Sequence, residues 1–211
     1  MLTVSGLESG VLKPASFAVP AGTCVAVRGP SGSGKSVLLR AIADLDPNRG
    51  EVRLGERARS AMPAPEWRRL VTYVAAESGW WADVVGAHFA DPARAVPLAE
   101  ALGLPAEAMG WPVARLSTGE RQRLALVRAL VQEPAVLLLD EPSGALDAEA
   151  TARLEEQLRR EMARGAAIVL VTHDPAQAGR LATRVLTVEK GMVGESTLSR
   201  PGRGWPPTAA G

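Results

Sequence analysis

An α/β fold, with a mostly parallel sheet at its core, an antiparallel β edge and a small helical lobe, is predicted from three features of the sequence. Near-continuous apolar runs recur as "TCVAV", "AVLLLD" and "AAIVLVTHD", the pattern of strands in a parallel sheet covered on both faces. Helical patterns separate them, so the order reads βαβ. From Trp81 to about Gly110 the chain becomes Ala- and Pro-rich with short helical pieces such as "PLAEALGL", which reads as the lobe.

Each element has a local reason. "TCVAV" leads through "RGPSGSGKS" into the helix "VLLRAIADL", where Leu38, Ile42 and Leu45 share a face and "PNRG" ends the helix. "EVRL" and "LVTYVA" are further strands. In "LSTGERQRLALVRALV", Ser117 and Glu120 stand at the Ser-x-x-Glu spacing of a capping box. The helix they open is expected to run to about Gln132, where Glu133 and Pro134 stop it. After "AVLLLD", the segment "AEATARLEEQLRREMARG" carries Leu154, Leu158 and Met162 at a spacing of four and closes on Gly165. "RVLTVEKGMV" adds edge strands, and "SRPGRGWPPTAAG" is expected to be a flexible end.

The 211 residues suffice for one sizeable domain with a buried core. With 46% hydrophobic and 22% charged residues, disorder is not expected outside the tail. A net charge of +1 offers no basic stripe, so nucleic acid is not an expected partner. The single cysteine, Cys24, has no partner for an internal bridge and lies in an apolar strand, which suits a reducing compartment. The run "ASFAVPAGTCVAV" is broken by Pro20 and Gly22, so it does not read as a secretory signal. No run reaches the roughly 18 apolar residues of a membrane span. If the chain works at a membrane, another protein is expected to cross it.

"GPSGSGKS", Gly29 to Ser36, matches G-x-x-x-x-G-K-[ST], the phosphate-binding Walker A loop. Its glycines let backbone N–H groups converge on phosphate oxygens, and the helix that follows points its positive end at them. Random ordering of this composition gives roughly 0.003 such matches per chain. One of only three lysines falls where the pattern requires it, so an ordinary glycine loop is the weaker reading. The chain is therefore expected to be a P-loop NTPase. Gly29, Pro30, Ser31, Gly32, Ser33, Gly34, Lys35, Ser36 and Val37 are the candidate ATP contacts. Lys35 is expected at the β and γ phosphates and the Ser36 hydroxyl on Mg²⁺. "AVLLLDEP" supplies the rest: Asp140, at a strand's end, can hold Mg²⁺ through water, and Glu141 can polarise the attacking water. Such a carboxylate pair is often only a solvated turn, a reading that loses weight behind a Walker A loop.

The order of Walker A, "LSTGERQR", "LLLDEP", "SGALD" and "VTHD" resembles the nucleotide-binding subunit of ATP-binding cassette (ABC) transporters, from about Thr3 to about Glu195. The resemblance implies a single ABC ATPase cassette over residues 1–198, with a helical lobe at about 81–133 and a flexible tail at 199–211. It implies ATP and Mg²⁺ as cofactors and a transmembrane permease subunit as partner. It also implies a homodimer or paired cassette, and a cytoplasmic position, peripheral on the inner face of the cell membrane. In that family the signature turn of one cassette, usually LSGGQ, caps the γ-phosphate at the Walker A loop of the other. Here Leu116, Ser117 and Gly119 match, while Thr118 and Glu120 depart. A helix N-terminus suits that anion, with Ser117 and the Gly119 N–H facing it and the Glu120 carboxylate turned away. Asp147 in "SGALD" resembles the D-loop aspartate of the dimer interface, although an N-cap for a helix beginning near Ala148 explains it locally. His173 resembles the switch histidine that touches the γ-phosphate and steadies Glu141.

Two positions depart from the family pattern. After "VTYVA" the family has a glutamine that ligates Mg²⁺; Ala76 stands there, with Glu77 next, and either Glu77 takes the role or the metal keeps an extra water. The family also stacks an aromatic residue on adenine from a loop before the second strand. "LTVSGLESGVLKPAS" holds none, and Phe17 belongs by pattern to the following strand, so weak base selectivity is expected. Trp80 and Trp81 read as packing between lobes or as a partner contact, and Arg121, Arg123 and Arg128 as a solvated helix face.

The leading expectation is an ATPase subunit in which ATP closes a cassette dimer, hydrolysis opens it, and a separate permease is driven between states. An iron–sulfur assembly ATPase or a low-turnover ATP sensor is the alternative; Ala76 and the missing aromatic favour the sensor, and Glu141 opposes it. Two-cassette translation factors need a longer chain. Chromosome-associated members need a coiled coil between Ser36 and Ser117, where no sustained heptads occur. A small-molecule kinase leaves the signature, D-loop and histidine unexplained.

Overall fold

The computed structural model describes residues 1–197, with side chains through Glu195; the expected flexible tail lies outside the described residues. In chain order the elements begin with β1 (Leu2–Ser9), β2 (Leu12–Val19), β3 (Cys24–Arg28), α1 (Lys35–Ile42), β4 (Arg49–Leu54) and β5 (Arg57–Ala58). Next come α2 (Ala64–Leu70), β6 (Val71–Val74), α3 (Pro92–Ala101), α4 (Thr118–Leu130) and β7 (Val136–Asp140). The chain continues through α5 (Ala148–Ala163), β8 (Ala167–Val171), α6 (Pro175–Leu181), β9 (Arg184–Glu189) and β10 (Met192–Thr197). Short 3₁₀ turns at Val85–His88, Ala106–Gly110 and Val113–Arg115 join α3 and α4 into the expected lobe.

Two sheets form. The six-stranded sheet has the order β10-β9-β3-β8-β7-β6. β9, β3, β8, β7 and β6 run parallel, and β10 folds back antiparallel on β9, the predicted antiparallel edge. A second, four-stranded antiparallel sheet has the order β2-β1-β4-β5, so "EVRL" and the strand of Phe17 belong to a different sheet from the other predicted strands. Phe17 lies in β2 and is buried, as the pattern predicts.

The continuous apolar runs are explained by burial on both faces. Val25, Val27, Val136, Leu138, Val169 and Val171 point to one core, shared with β1, β2, α1 and Trp67. Their alternates Cys24, Leu137, Leu139, Ile168 and Leu170 point to a second core, built with α4, α5 and the lobe. Strand periodicity of two divides one apolar run between two cores. Trp67 is fully buried, and its indole N–H donates to Ile42 O at 2.9 Å, fastening α2 to the end of α1.

Two helix ends differ from expectation. α1 stops at Ile42, because Asp44 takes a left-handed conformation (φ 58). Leu45 N–H then reaches Arg40 O at 2.9 Å and Asp44 N–H reaches Ala41 O at 3.2 Å, a Schellman closure. Leu45 therefore leaves the face of Leu38 and Ile42 and is 38% exposed. α4 stops at Leu130 rather than near Gln132, with Glu133 turning the chain at φ 50.

Candidate functional site

Register brings the motifs to one edge of the sheet. Val27 of β3 pairs with Val171 of β8, and Val171 pairs with Asp140 of β7, so the three strands end level. The glycine loop follows β3, Glu141 follows β7 and His173 follows β8, all at the carboxyl ends where open α/β sheets hold ligands.

Within the loop, Gly29, Gly32 and Gly34 have φ of 151°, 72° and 109°. At Gly29 the reason is also steric: a Cβ there would lie 2.0 Å from Val188 O of β9. The loop's other anchor is Gly191 N–H, which donates to Ser33 O at 3.2 Å from the β9–β10 turn. Gly191 in turn lies against the β1–β2 turn, where a Cβ would meet Val11 O at 1.8 Å. Lys35 is buried, with Nζ donating to Gly29 O and Pro30 O at 2.9 Å each, two of an ammonium's three donors. Ser33 Oγ is buried without a hydrogen-bond partner, and Ser36, at the start of α1, is exposed. An orphaned hydroxyl, left-handed glycines and a helix N-terminus together fit a phosphate anion.

Asp140 is 5% exposed, and its Oδ2 accepts from the Tyr73 hydroxyl at 3.0 Å. Burial and the neighbouring Asp140 charge push the Tyr73 phenol well above its ordinary range, so it remains a donor. Ser36 and Asp140 offer hard oxygen donors of the kind that suit Mg²⁺. Glu77 lies exposed in the loop after β6, and among the described residues no three acidic, histidine or cysteine side chains group as a metal site.

Glu141 has a left-handed backbone, φ 50. Its Oε1 lies 2.8 Å from His173 Nε2, the two side chains that the family resemblance pairs. Their side chains are 37% and 57% exposed, so the contact adds only about 0–1 kcal/mol to stability, less than the ~1–3 kcal/mol strain of the backbone. Stability does not account for this arrangement. A pocket of about 310 Å³ opens beside it, lined by Ser143, Gly144, Thr172 and Asp174 among others.

At the signature turn the capping box is complete. Ser117 Oγ accepts from Glu120 N–H at 3.2 Å, and Glu120 Oε2 takes both the Ser117 N–H (2.8 Å) and the Ser117 hydroxyl (2.9 Å). The Ser117 backbone N–H, more than any other group, holds the Glu120 carboxyl below its ordinary range. The Ser117 hydroxyl is thus committed to its own helix within the single chain. Asp147 caps α5 through Ala150 N–H at 2.8 Å, the local reading of that residue.

The three arginines are not a solvated face. Arg121 donates to Leu116 O and Val113 O, Arg123 to Gly119 O, Leu102 O and Gly103 O, and Arg128 to Gly79 O. Arg123 thereby caps carbonyls at the end of α3, while Arg121 and Arg128 tie α4 to the turn before it and to the loop after β6. Arg128 also lies over Trp80 and Trp81, 5.0 Å and 4.9 Å from the ring centres, and burial lowers its pKa. Trp80 packs against the lobe core, whereas Trp81 is 71% exposed.

Sequence reasoning passed over three residues. His88, one of two histidines, is buried, edge-on to both tryptophans; its Nε2 accepts from the N–H groups of Trp81 and Ala82. Two donors on Nε2 assign the proton to Nδ1, which faces Val84 O and Val85 O. Tyr73 was hidden in an ordinary strand pattern. Gln122 had a usable signal, a polar residue in register with Leu126 and Ala129 on the apolar face of α4.

A family model described as "ABC transporter" matches residues 12–144. The aliphatic sulfonates import ATP-binding protein SsuB 2 of Pseudomonas fluorescens is 43% identical over 190 residues, covering 87% of this chain and 70% of the relative. Its counterpart SsuB 3 of Nocardia farcinica is 44% identical over 202 residues, covering 90% and 77%. Among solved structures, an ATP-binding subunit of an ABC transporter superposes with a TM-score of 0.83 at 28% identity, covering 93% of this chain and 90% of that one. A dimeric bacterial ABC transporter cassette, at 24% identity, shares the fold with a TM-score of 0.78 over 97% and 100% of the two chains.

Proposed function

Because the chain belongs to the ABC transporter family, as an ATP-binding, ATP-hydrolysing subunit, we propose the following division of labour among its residues. Residues 1–198 act as one cassette, with the lobe at about 81–133. Gly29 to Val37 wrap the triphosphate, and Lys35 neutralises the β and γ phosphates. Ser36 and Asp140 would hold Mg²⁺, Asp140 through water from the oxygen that Tyr73 leaves open, with Glu77 or a further water in the place of the family glutamine. When bound, the metal would supply neutralisation of the triphosphate's negative charge.

In the hydrolytic step, water attacks the γ-phosphorus, the bond to the β–γ bridging oxygen breaks, and ADP and phosphate leave. Glu141 orients and polarises that water, and His173 holds the Glu141 carboxylate and reaches the γ-phosphate. The single observation that carries this reading is the 2.8 Å Glu141–His173 contact on a strained backbone, level with the end of the glycine-loop strand.

Ser117, whose hydroxyl would turn from Glu120 to the partner's γ-phosphate, the Gly119 N–H and Asp147 serve a second cassette, so ATP acts between two copies or a paired cassette. A separate permease crosses the membrane and the chain sits on its cytoplasmic face, a reading supported by the relatives' names as import ATP-binding proteins. The relatives' names, import proteins for aliphatic sulfonates, support an importer of small organic anions over an iron–sulfur assembly ATPase. The test is phosphate release by the purified chain and by Glu141→Gln, with sedimentation under Mg·ATP. A wild type without turnover, or a Glu141→Gln variant that stays monomeric with and without its permease, refutes the proposal.

A further inference from the structure

We infer that Gln122 is a positioning residue that ties the signature turn of this cassette to its own Glu141, an inference that rests on the ATPase reading above. Gln122 is 7% exposed on α4, and both ends of its amide are used. Nε2 donates to Glu141 O at 2.6 Å, and Oε1 accepts from Ala145 N–H at 3.3 Å. Only this orientation puts a donor on the carbonyl and an acceptor on the N–H, so the contacts fix the amide's direction.

The contact falls at the strained point of the chain. Glu141 N–H donates to Val171 O at 3.0 Å and Glu141 O also accepts from Gly144 N–H at 3.1 Å. The left-handed residue is therefore held by the sheet behind it, its own turn and α4. The first turn of α4 touches the same segment directly: a Cβ on Gly119 would lie 2.9 Å from Ala145 O. This gives the signature glycine a reason inside its own cassette, apart from any phosphate. From the other side, Gln177 of α6 accepts from the Ser143 hydroxyl at 3.1 Å.

The segment from Glu141 to Asp147 is thus clamped between α4 and α6, and Gln122 is the side chain that spans from α4. An anion seated on the N-terminus of α4 bears on Glu141 through one buried amide. In a dimer, the N-terminus of α4 faces the partner's nucleotide while Glu141 serves the cassette's own, so Gln122 connects the two sites. A buried glutamine with a purely structural role would change stability and leave turnover and cooperativity alone.

The experiment uses the full chain with Gln122→Met, which keeps volume and loses both bonds, and Gln122→Glu, which turns a carboxylate oxygen onto the Glu141 carbonyl. Loss of a buried donor to a strained carbonyl should lower kcat by about tenfold with KM for ATP within about twofold. The Hill coefficient for ATP falls toward that of independent sites, and the Ala145 amide exchanges hydrogen faster without nucleotide. Folded variants with wild-type kcat and cooperativity, or with unchanged Ala145 exchange, overturn the inference. So does failure of both variants to fold, which makes Gln122 a core residue only. If the wild type itself releases no phosphate, the ATPase reading fails, and exchange at Ala145 still decides whether Gln122 holds the segment.

Discussion

His173 Nε2 stands 2.8 Å from Glu141 Oε1, across the ends of two paired parallel strands, β7 and β8. The two residues are far apart in sequence and meet only because Asp140 pairs with Val171. Glu141→Gln keeps the size of the side chain and removes its charge, so phosphate release should drop by about 10²–10⁴-fold with nucleotide affinity retained. His173→Ala leaves the carboxylate in place but unsteadied, and a smaller loss is expected. Steady-state phosphate release and fluorescent-nucleotide binding check both; equal losses of affinity would remove the assigned roles.

Base recognition is a second point of test. Val11, at the tip of the β1–β2 turn, is 62% exposed, and a Cβ on Gly34 of the glycine loop would lie 3.6 Å from its Cγ2. An aliphatic side chain there offers no stacking face, so ATP and GTP should compete about equally. Val11→Tyr supplies a ring and should tighten ATP binding by roughly 1–3 kcal/mol, by analogy with stacking in single-strand binders. Competition titrations of the two nucleotides measure it.

Metal handling depends on Tyr73 and Glu77. Tyr73→Phe deletes the hydroxyl on Asp140 Oδ2 and should raise the Mg²⁺ needed for half-maximal activity by about 10-fold or more, as outer-shell losses do. Manganese binding followed by electron spin resonance with a non-hydrolysable nucleotide gives a second readout. For Glu77→Ala, a similar rise assigns Glu77 to the metal, whereas an unchanged requirement assigns that place to water.

Alkaline stability follows from the core of β3. Cys24 is fully buried, and burial pushes its thiol from 9.0 up to about 12. Unfolding releases the thiol to its ordinary value, so above pH 9 the native state binds more protons than the unfolded one. The contribution is fully present below pH 9 and is lost as pH rises toward 12. Tyr73, shifted in the same direction, adds to the loss at the upper end of that range. Urea unfolding at about pH 8 and about pH 10.5 should show a fall in stability that is smaller in Cys24→Ala. Native Cys24 should also resist thiol reagents that label it in denaturant.

The parallel strands and the site motifs were legible because each is a local statement. "AVLLLD" needs only its own six residues to declare a strand buried on both faces, and the glycine loop declares itself by spacing. What the sequence hid was relational. Nothing in "EVRL" says that β4 pairs with β1 rather than with the parallel sheet. Asp44 ends α1 through a left-handed turn where glycine is the usual marker, so helical spacing alone carries the helix too far and sets Leu45 on its apolar face. The arginines of α4 look solvent-facing by helical spacing; their partners are carbonyls of loops that no periodicity locates.

The close approach of Val188 O to Gly29, with Gly191 tied to Ser33, has a consequence for biosynthesis. The glycine loop leaves the ribosome before part of its seat, which is made by residues some 160 positions later. Nascent chains halted before β9 carry every phosphate-binding residue of that loop and still lack the strand and turn that shape it. Nucleotide capture is therefore expected only once β9 and the β9–β10 turn have been made, which keeps shorter products from engaging ATP.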